Sequence, residues 1–119
     1  MVNESSLRDV YSQKFGGGYT SHTTMTTCIN LEKLLPDSLK IIDYLSIDTE
    51  GSELAIIESI SEEFWKDRVR LVSVDVSSAD GEETKLENAR NLAVIMKDLG
   101  FKLLEVMKHD AIYVNFNKL

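Results

Sequence analysis

The chain has 119 residues, a length that suits one domain, and a domain of that size buries about two thirds of the surface its unfolded form exposes. With 43% hydrophobic and 28% charged residues it has an ordinary globular composition, which excludes disorder of the whole chain. A net charge of −7 argues against nucleic-acid and membrane partners, since phosphate backbones and anionic lipid surfaces both select clustered basic residues.

The N-terminus, Met1-Val2-Asn3-Glu4-Ser5-Ser6, has neither the basic nor the apolar region of a signal peptide. No stretch approaches the roughly 18 apolar residues of a membrane span. The single cysteine, Cys28, cannot form an internal disulfide, and no CxxC or His/Cys cluster points to zinc. These features lead to an expectation of a reducing, cytoplasmic setting, with Cys28 small and at least half-buried.

Taken in order, residues 1–15 read as a helix, with Ser5 or Ser6 as cap and Leu7, Val10, Tyr11 and Lys14 on one face. Gly16-Gly17-Gly18 ends it in a flexible loop; no apolar strand precedes these glycines, so they are not a phosphate cradle. The β-branched run Thr23–Ile29 predicts a strand, with His22 in its lead-in. Asn30 caps a short helix, Leu31–Leu35, which Pro36 and Asp37 end. Residues 1–22 are therefore expected to form an N-terminal helix and loop, and 23–119 the folded unit.

Ile41–Ile47 is nearly continuous in apolar residues, the pattern of a parallel strand covered on both faces. It runs into Asp48-Thr49-Glu50-Gly51 and then a helical stripe of Leu54, Ala55, Ile57 and Ile60, with Phe64 and Trp65 at the far end. Val69–Val76 is the next core strand, and Asp75, Ser77, Ser78 and Asp80 cluster at its exit. Thr84-Lys85-Leu86-Glu87 matches a capping box, and the helix after it places Leu86, Ala89, Ala93 and Met96 on one stripe, with Leu92, Ile95 and Leu99 alongside, before Gly100 stops it. Phe101–Met107 and Ala111–Phe116 are two strands joined by so few residues that they must form an antiparallel hairpin, with His109 exposed at its tip. Strand–helix–strand–helix–strand with a terminal hairpin predicts an α/β sheet, mainly parallel, with one antiparallel strand added.

The segment IIDYLSIDTEGSELAII, followed by a strand, a long helix ending in Gly-Phe and a hairpin, resembles the C-terminal half of the FkbM family of S-adenosylmethionine-dependent methyltransferases. That family's strand ends in Ile-Asp-x-Glu-Gly-x-Glu-Leu, and Ile47-Asp48-Thr49-Glu50-Gly51-Ser52-Glu53-Leu54 matches it throughout. The preceding CINLEKLL looks like the family's Thr-Leu-Asp-Asp-Leu-Leu block, from which Asn30 and Glu32 depart. Ser46 stands where Lys is frequent, and Asp75 where Glu is usual. The resemblance covers about residues 24–116. It implies a partial Rossmann-like methyltransferase sheet that lacks the glycine-rich first strand and turn of the cofactor-binding N-terminal half.

On this resemblance the intact family uses S-adenosylmethionine to methylate a hydroxyl, whereas this chain alone is expected to bind no cofactor and to be inactive. Asp48 and Glu50 are the expected catalytic residues, Asp48 orienting the acceptor hydroxyl or taking its proton. Glu53, Asp75 and Ser77 are the expected substrate contacts. Glu50 and Glu53 admit two further readings: with Asp48 they would hold a hard divalent ion, or they would simply stabilise a turn and a helix start. No cofactor-binding residue is assigned.

Loss of the earlier strands would leave the Ile41–Ile47 edge open, so a homodimer through that edge or a missing N-terminal half is the expected partner. The competing function is a non-catalytic interaction module, or a subunit completed by a second chain. A phosphotransfer receiver also carries acidic strand ends, but no matching phosphoacceptor loop or strand-end lysine is present here.

Overall fold

The computed structural model describes residues 21–118. The helix expected over 1–15 and the loop at Gly16–Gly18 lie outside the described residues. In chain order the elements are α1 (Leu31–Leu34), β1 (Leu45–Ile47), α2 (Glu53–Glu58), α3 (Glu62–Arg68), β2 (Leu71–Asp75), α4 (Glu82–Asp98), β3 (Phe101–Met107) and β4 (Asp110–Asn115), closed by a 3₁₀ turn over Phe116–Lys118. Among the described residues no helix is long and apolar enough to cross a membrane.

The strands form one four-stranded sheet in the order β1-β2-β4-β3. β1 pairs with β2 in parallel, whereas β2 with β4 and β4 with β3 are antiparallel. Three strands therefore run one way and β4 runs against them. The expected mainly parallel sheet holds for strand direction but not for pairing, because β4 sits between β2 and β3. The α4 crossover leaves a gap one strand wide, and a turn of only Lys108 and His109 folds β4 back into it. Ala111, Tyr113 and Val114 are buried, which is why β4 takes the interior position and not the edge.

Directly paired residues share a sheet face, so Ile47, Val72, Val74, Ala111, Tyr113 and Phe101 line one side. On them pack Ile57, Phe64, Trp65, Leu92, Met96 and Leu99 from α2, α3 and α4 and their ends. Trp65 is fully buried at the centre, edge-on to Phe64 and Phe101 with ring centroids 6.2 and 6.1 Å away, and its indole N–H donates to the Ile57 carbonyl at 3.1 Å. Asn115, also fully buried, donates to the carbonyls of Trp65, Lys66 and Val69 and ties β4 to the end of α3. The side chain of Glu32 accepts from the N–H and Oγ of Ser61, and Asn30 donates to the Ser59 carbonyl, so α1 is pinned to the α2–α3 junction.

Four local expectations are corrected. Thr23–Ile29 is not a strand: the segment is irregular and exposed, and β-branched residues favour strands only where a half-buried pleated surface receives them. Cys28 is consequently exposed, not packed. The strand expected from Ile41 begins only at Leu45, because Asp43 turns out to Arg70 and Tyr44 bends over to Ser73; one isolated bridge, Ile42 to Val69, continues the pairing.

The fourth concerns α4. It starts before the Thr84–Glu87 box, capped by Gly81 at φ +104, a conformation that favours glycine. Leu92, Met96 and Leu99 face its core, while Leu86 and Ala93, expected on the core stripe, are exposed.

Candidate active site

The carboxyl ends of β1 and β2, neighbours in the parallel part of the sheet, carry the acidic residues. Past Ile47 the chain must reverse into α2 within a few residues. It does so with two successive left-handed conformations, Glu50 at φ +57 and Gly51 at φ +117. Gly51 adopts this freely; Glu50 needs outside support. Glu53 supplies it from the first turn of α2. One of its oxygens accepts the Thr49 N–H at 2.8 Å, and the other the Gly51 N–H at 3.0 Å. Only 8% of Glu53 is exposed, so this carboxylate braces the turn from inside.

Asp75 ends β2 and binds Ser77 twice, accepting its N–H and its hydroxyl, each at 2.9 Å. Asp48 lies one residue beyond the Ile47–Val74 pair and so stands beside Asp75. On the other side of Asp75, Asp110 is its directly paired residue on β4. Asp48, Asp75 and Asp110 thus form a row across three adjacent strands. Behind it lies a row of hydroxyls, in which Ser73 meets Tyr44 at 2.6 Å and Ser46 at 3.4 Å.

Such crowding of carboxylates separates their acidities. The hydrogen bond to Asp75 and then its charge push Asp48 above the ordinary carboxylate range, and a slight loss of hydration, Glu50 and Asp110 add to this. Burial also pushes Asp75 up, but the Ser77 N–H and hydroxyl, the Asp48 hydrogen bond and the positive charge of His109 outweigh it and hold Asp75 low. The surroundings therefore push the two acidities apart, Asp48 upward and Asp75 downward.

Asp48, Glu50 and Asp75 each bring a carboxylate oxygen within 4.8 Å of the others. A hard cation would have to compete with Ser77 for both Asp75 oxygens, and Glu53 is turned away into the backbone.

Of the residues expected from sequence, Asp48, Glu50, Asp75 and Ser77 come together here, and Glu53 lies beneath them. His22 is exposed in the irregular segment. Asp110 and His109 were missed as site neighbours. His109 is exposed at the hairpin tip as expected, but the tip lies against the exit of β2, where the His109 carbonyl accepts the Val76 N–H at 2.7 Å. Nothing local in the sequence signals this, because it follows from the insertion of β4.

Residues 3–103 match the family model of the methyltransferase FkbM domain. The chain belongs to the FkbM methyltransferase family. No curated protein and no solved structure gives a match. The FkbM match begins well before the acidic junction and runs into β3, so the junction lies inside it.

Membership implies S-adenosylmethionine use in the intact FkbM family. The cavity at the junction, between Gly51, Glu53, Leu54, Asp75, Asn88 and Leu92, holds about 50 Å³. Pockets that enclose ligands of that size hold roughly 300–1,000 Å³.

Proposed function

We propose that this FkbM domain serves methyl transfer to a hydroxyl group, and that its acidic junction is the acceptor side of the site. One observation carries the reading: a carboxyl pair at the carboxyl ends of adjacent parallel strands, with acidities pushed apart by their surroundings. Ligands of open α/β sheets bind at such strand ends. Two carboxyls driven apart in acidity are the mark of assigned proton roles.

In this reading Asp48, whose affinity for a proton is raised, takes the proton of the acceptor hydroxyl once its own has left. Asp75, held anionic by Ser77, sustains that basicity, and Ser77 and Glu50 contact the acceptor at the rim. Glu53 acts through the turn by fixing where Asp48 and Glu50 stand. S-adenosylmethionine is the methyl donor, and its binding elements lie outside the described residues, as the small junction cavity supports.

A second reading is favoured by a specific observation. No described strand pairs with the outer edge of β1, and beside that edge runs an apolar groove of about 310 Å³ lined by Ile29, Leu31, Leu34, Leu45, Ile47 and Ile56. A strand edge of this kind is a template for pairing, either with a second copy or with a chain that completes the fold. In this reading the domain is an interaction module.

Calorimetry with S-adenosylmethionine and its demethylated product, run beside light scattering, separates the readings. No binding by a monomer is expected for the acceptor-side reading. Micromolar binding would overturn the placing of the donor site, and a stable homodimer without binding would favour the module.

A further inference from the structure

We propose that the groove between α4 and β3 is a docking surface for an acidic amphipathic helix of a partner protein. The groove sits at the start of β3, on the far edge of the sheet from β1 and at the opposite end of the strands from the acidic junction. The proposal therefore depends neither on the methyl-transfer reading nor on what pairs with β1.

The groove has a volume of about 350 Å³ and an apolar lining of Ala93, Phe101, Leu103 and Tyr113, with the exposed Lys97 and Lys102 beside it. Apolar surface continues from it on both elements. On α4, Leu86, Arg90, Ala93 and Lys97 recur at helical spacing and share one face, and Leu86 on that face is 53% exposed. On β3, Leu103 and Val106 pair with Tyr113 and Ala111, so they lie on the helix-bearing side of the sheet, yet each is more than half exposed. Exposed apolar surface gathered between a helix and a sheet edge marks an interaction site.

Charge selects the partner's chemistry. The chain carries −7 overall, but Lys97 and Lys102 flank the groove, Arg90 precedes Lys97 on the same helix face, and no acidic residue is among those that line it. Among the described residues none of these three cations enters an ion pair; Lys102 rests on the Phe116 ring, 4.6 Å from its centroid. Carboxylates on a partner are attracted here and repelled by the rest of the surface, which fixes where it docks. An anionic membrane is disfavoured by the same net charge.

Geometry selects its shape. The outer edge of β3 has no strand partner among the described residues, but the register shift between Leu103 and Glu105 bulges that edge, which hinders strand addition. The 17 residues of α4 run beside the groove for about 25 Å. A second helix laid there sets its apolar stripe on Leu86, Ala93, Leu103 and Val106 and its carboxylates toward Arg90, Lys97 and Lys102.

The test uses the full chain and two capped peptides of about 15 residues, the length at which an isolated helix begins to hold in water. Both carry leucines at helical spacing; one flanks them with glutamates, the other with lysines. In amide NMR titrations the glutamate peptide is expected to shift α4 from Leu86 to Lys97 and β3 from Phe101 to Val106, and the lysine peptide to bind at least about tenfold more weakly. In the Lys97→Glu/Lys102→Glu chain the preference should invert. An unchanged amide spectrum away from the groove shows that this variant is folded; should it misfold, Ala93→Glu, at an exposed helix position, replaces it and is expected to abolish binding of the glutamate peptide.

Equal binding of the two peptides, shifts centred elsewhere, or no shift up to about 1 mM peptide would overturn the proposal. Shifts of the same residues on dilution of the chain alone would assign the groove to a second copy. Shifts with phosphatidylglycerol vesicles but with neither peptide would assign it to a membrane. Either result overturns the proposal as well.

Discussion

Glu53 offers the sharpest test of how the acidic junction is built. Its carboxylate accepts the backbone N–H groups of Thr49 and Gly51 at 2.8 and 3.0 Å and is almost fully buried. Glu53→Ala removes both acceptors. A hydrogen bond to a charged group contributes about 1.5–3 kcal/mol. Thr49 and Gly51 are themselves exposed, so water replaces much of what is lost and the two bonds together count for roughly one such bond at its low end, about 1.5–2 kcal/mol. The favourable meeting of a carboxylate with the start of α2 adds about 0.3–1 kcal/mol.

A destabilisation of about 2–3 kcal/mol is therefore expected for Glu53→Ala, from the hydrogen-bond and helix-dipole terms together. The single tryptophan, Trp65, lies fully buried in the core and reports unfolding by fluorescence. With a urea dependence of about 1–1.5 kcal/mol per molar, the midpoint should fall by about 2 M. Glu53→Gln, which turns one acceptor into a donor facing an N–H, should lose roughly half as much. A Glu53→Ala midpoint within about 0.5 kcal/mol of the parent would refute the reasoning. The turn would then hold itself, and Glu53 would be free to contact substrate directly.

Three further outcomes follow from the same structure. Glu50→Gly should stabilise the protein by about 0.5–1 kcal/mol in the same urea assay, because glycine adopts φ +57 without the steric cost that a side chain bears there. Asp48 titrates above the ordinary carboxylate range in the folded chain, so its contribution is present at low pH and is lost as pH rises through the folded value. Asp48→Asn should therefore leave acid stability nearly unchanged and raise stability toward neutral pH; thermal melts across that range check the sign, and a variant weakened at neutral pH would contradict the pairing. Asn115→Ala strips the donor from three carbonyls, those of Trp65, Lys66 and Val69, and should cost about 2–4 kcal/mol, read as a melting temperature lower by roughly 10–20 °C.

The strand–turn–helix from Leu45 to Glu58 was legible in the sequence because every signal there is local. An apolar run, a left-handed glycine and a helical stripe are consecutive, and the Ile47–Leu54 motif carries the family with them. The hairpin was legible as well, since Gly100 and the short Lys108-His109 link leave β3 and β4 no other way to pair. Local signals failed where the outcome depended on a partner distant in the chain. The threonines of 23–29 had no sheet to receive them, and the apolar stripe of α4 was divided by where the sheet ends.

The acidic row is the plainest case. The sequence supplied Asp48 and Asp75 as strand ends, each with a polar exit, but three carboxyls stand abreast only because β4 enters the sheet between β2 and β3. That order is decided by the burial of Ala111, Tyr113 and Val114, a property of the assembled core. The parting of the Asp48 and Asp75 acidities is likewise a tertiary property, because folding sets the two carboxyls side by side while Ser77 hydrogen-bonds only Asp75.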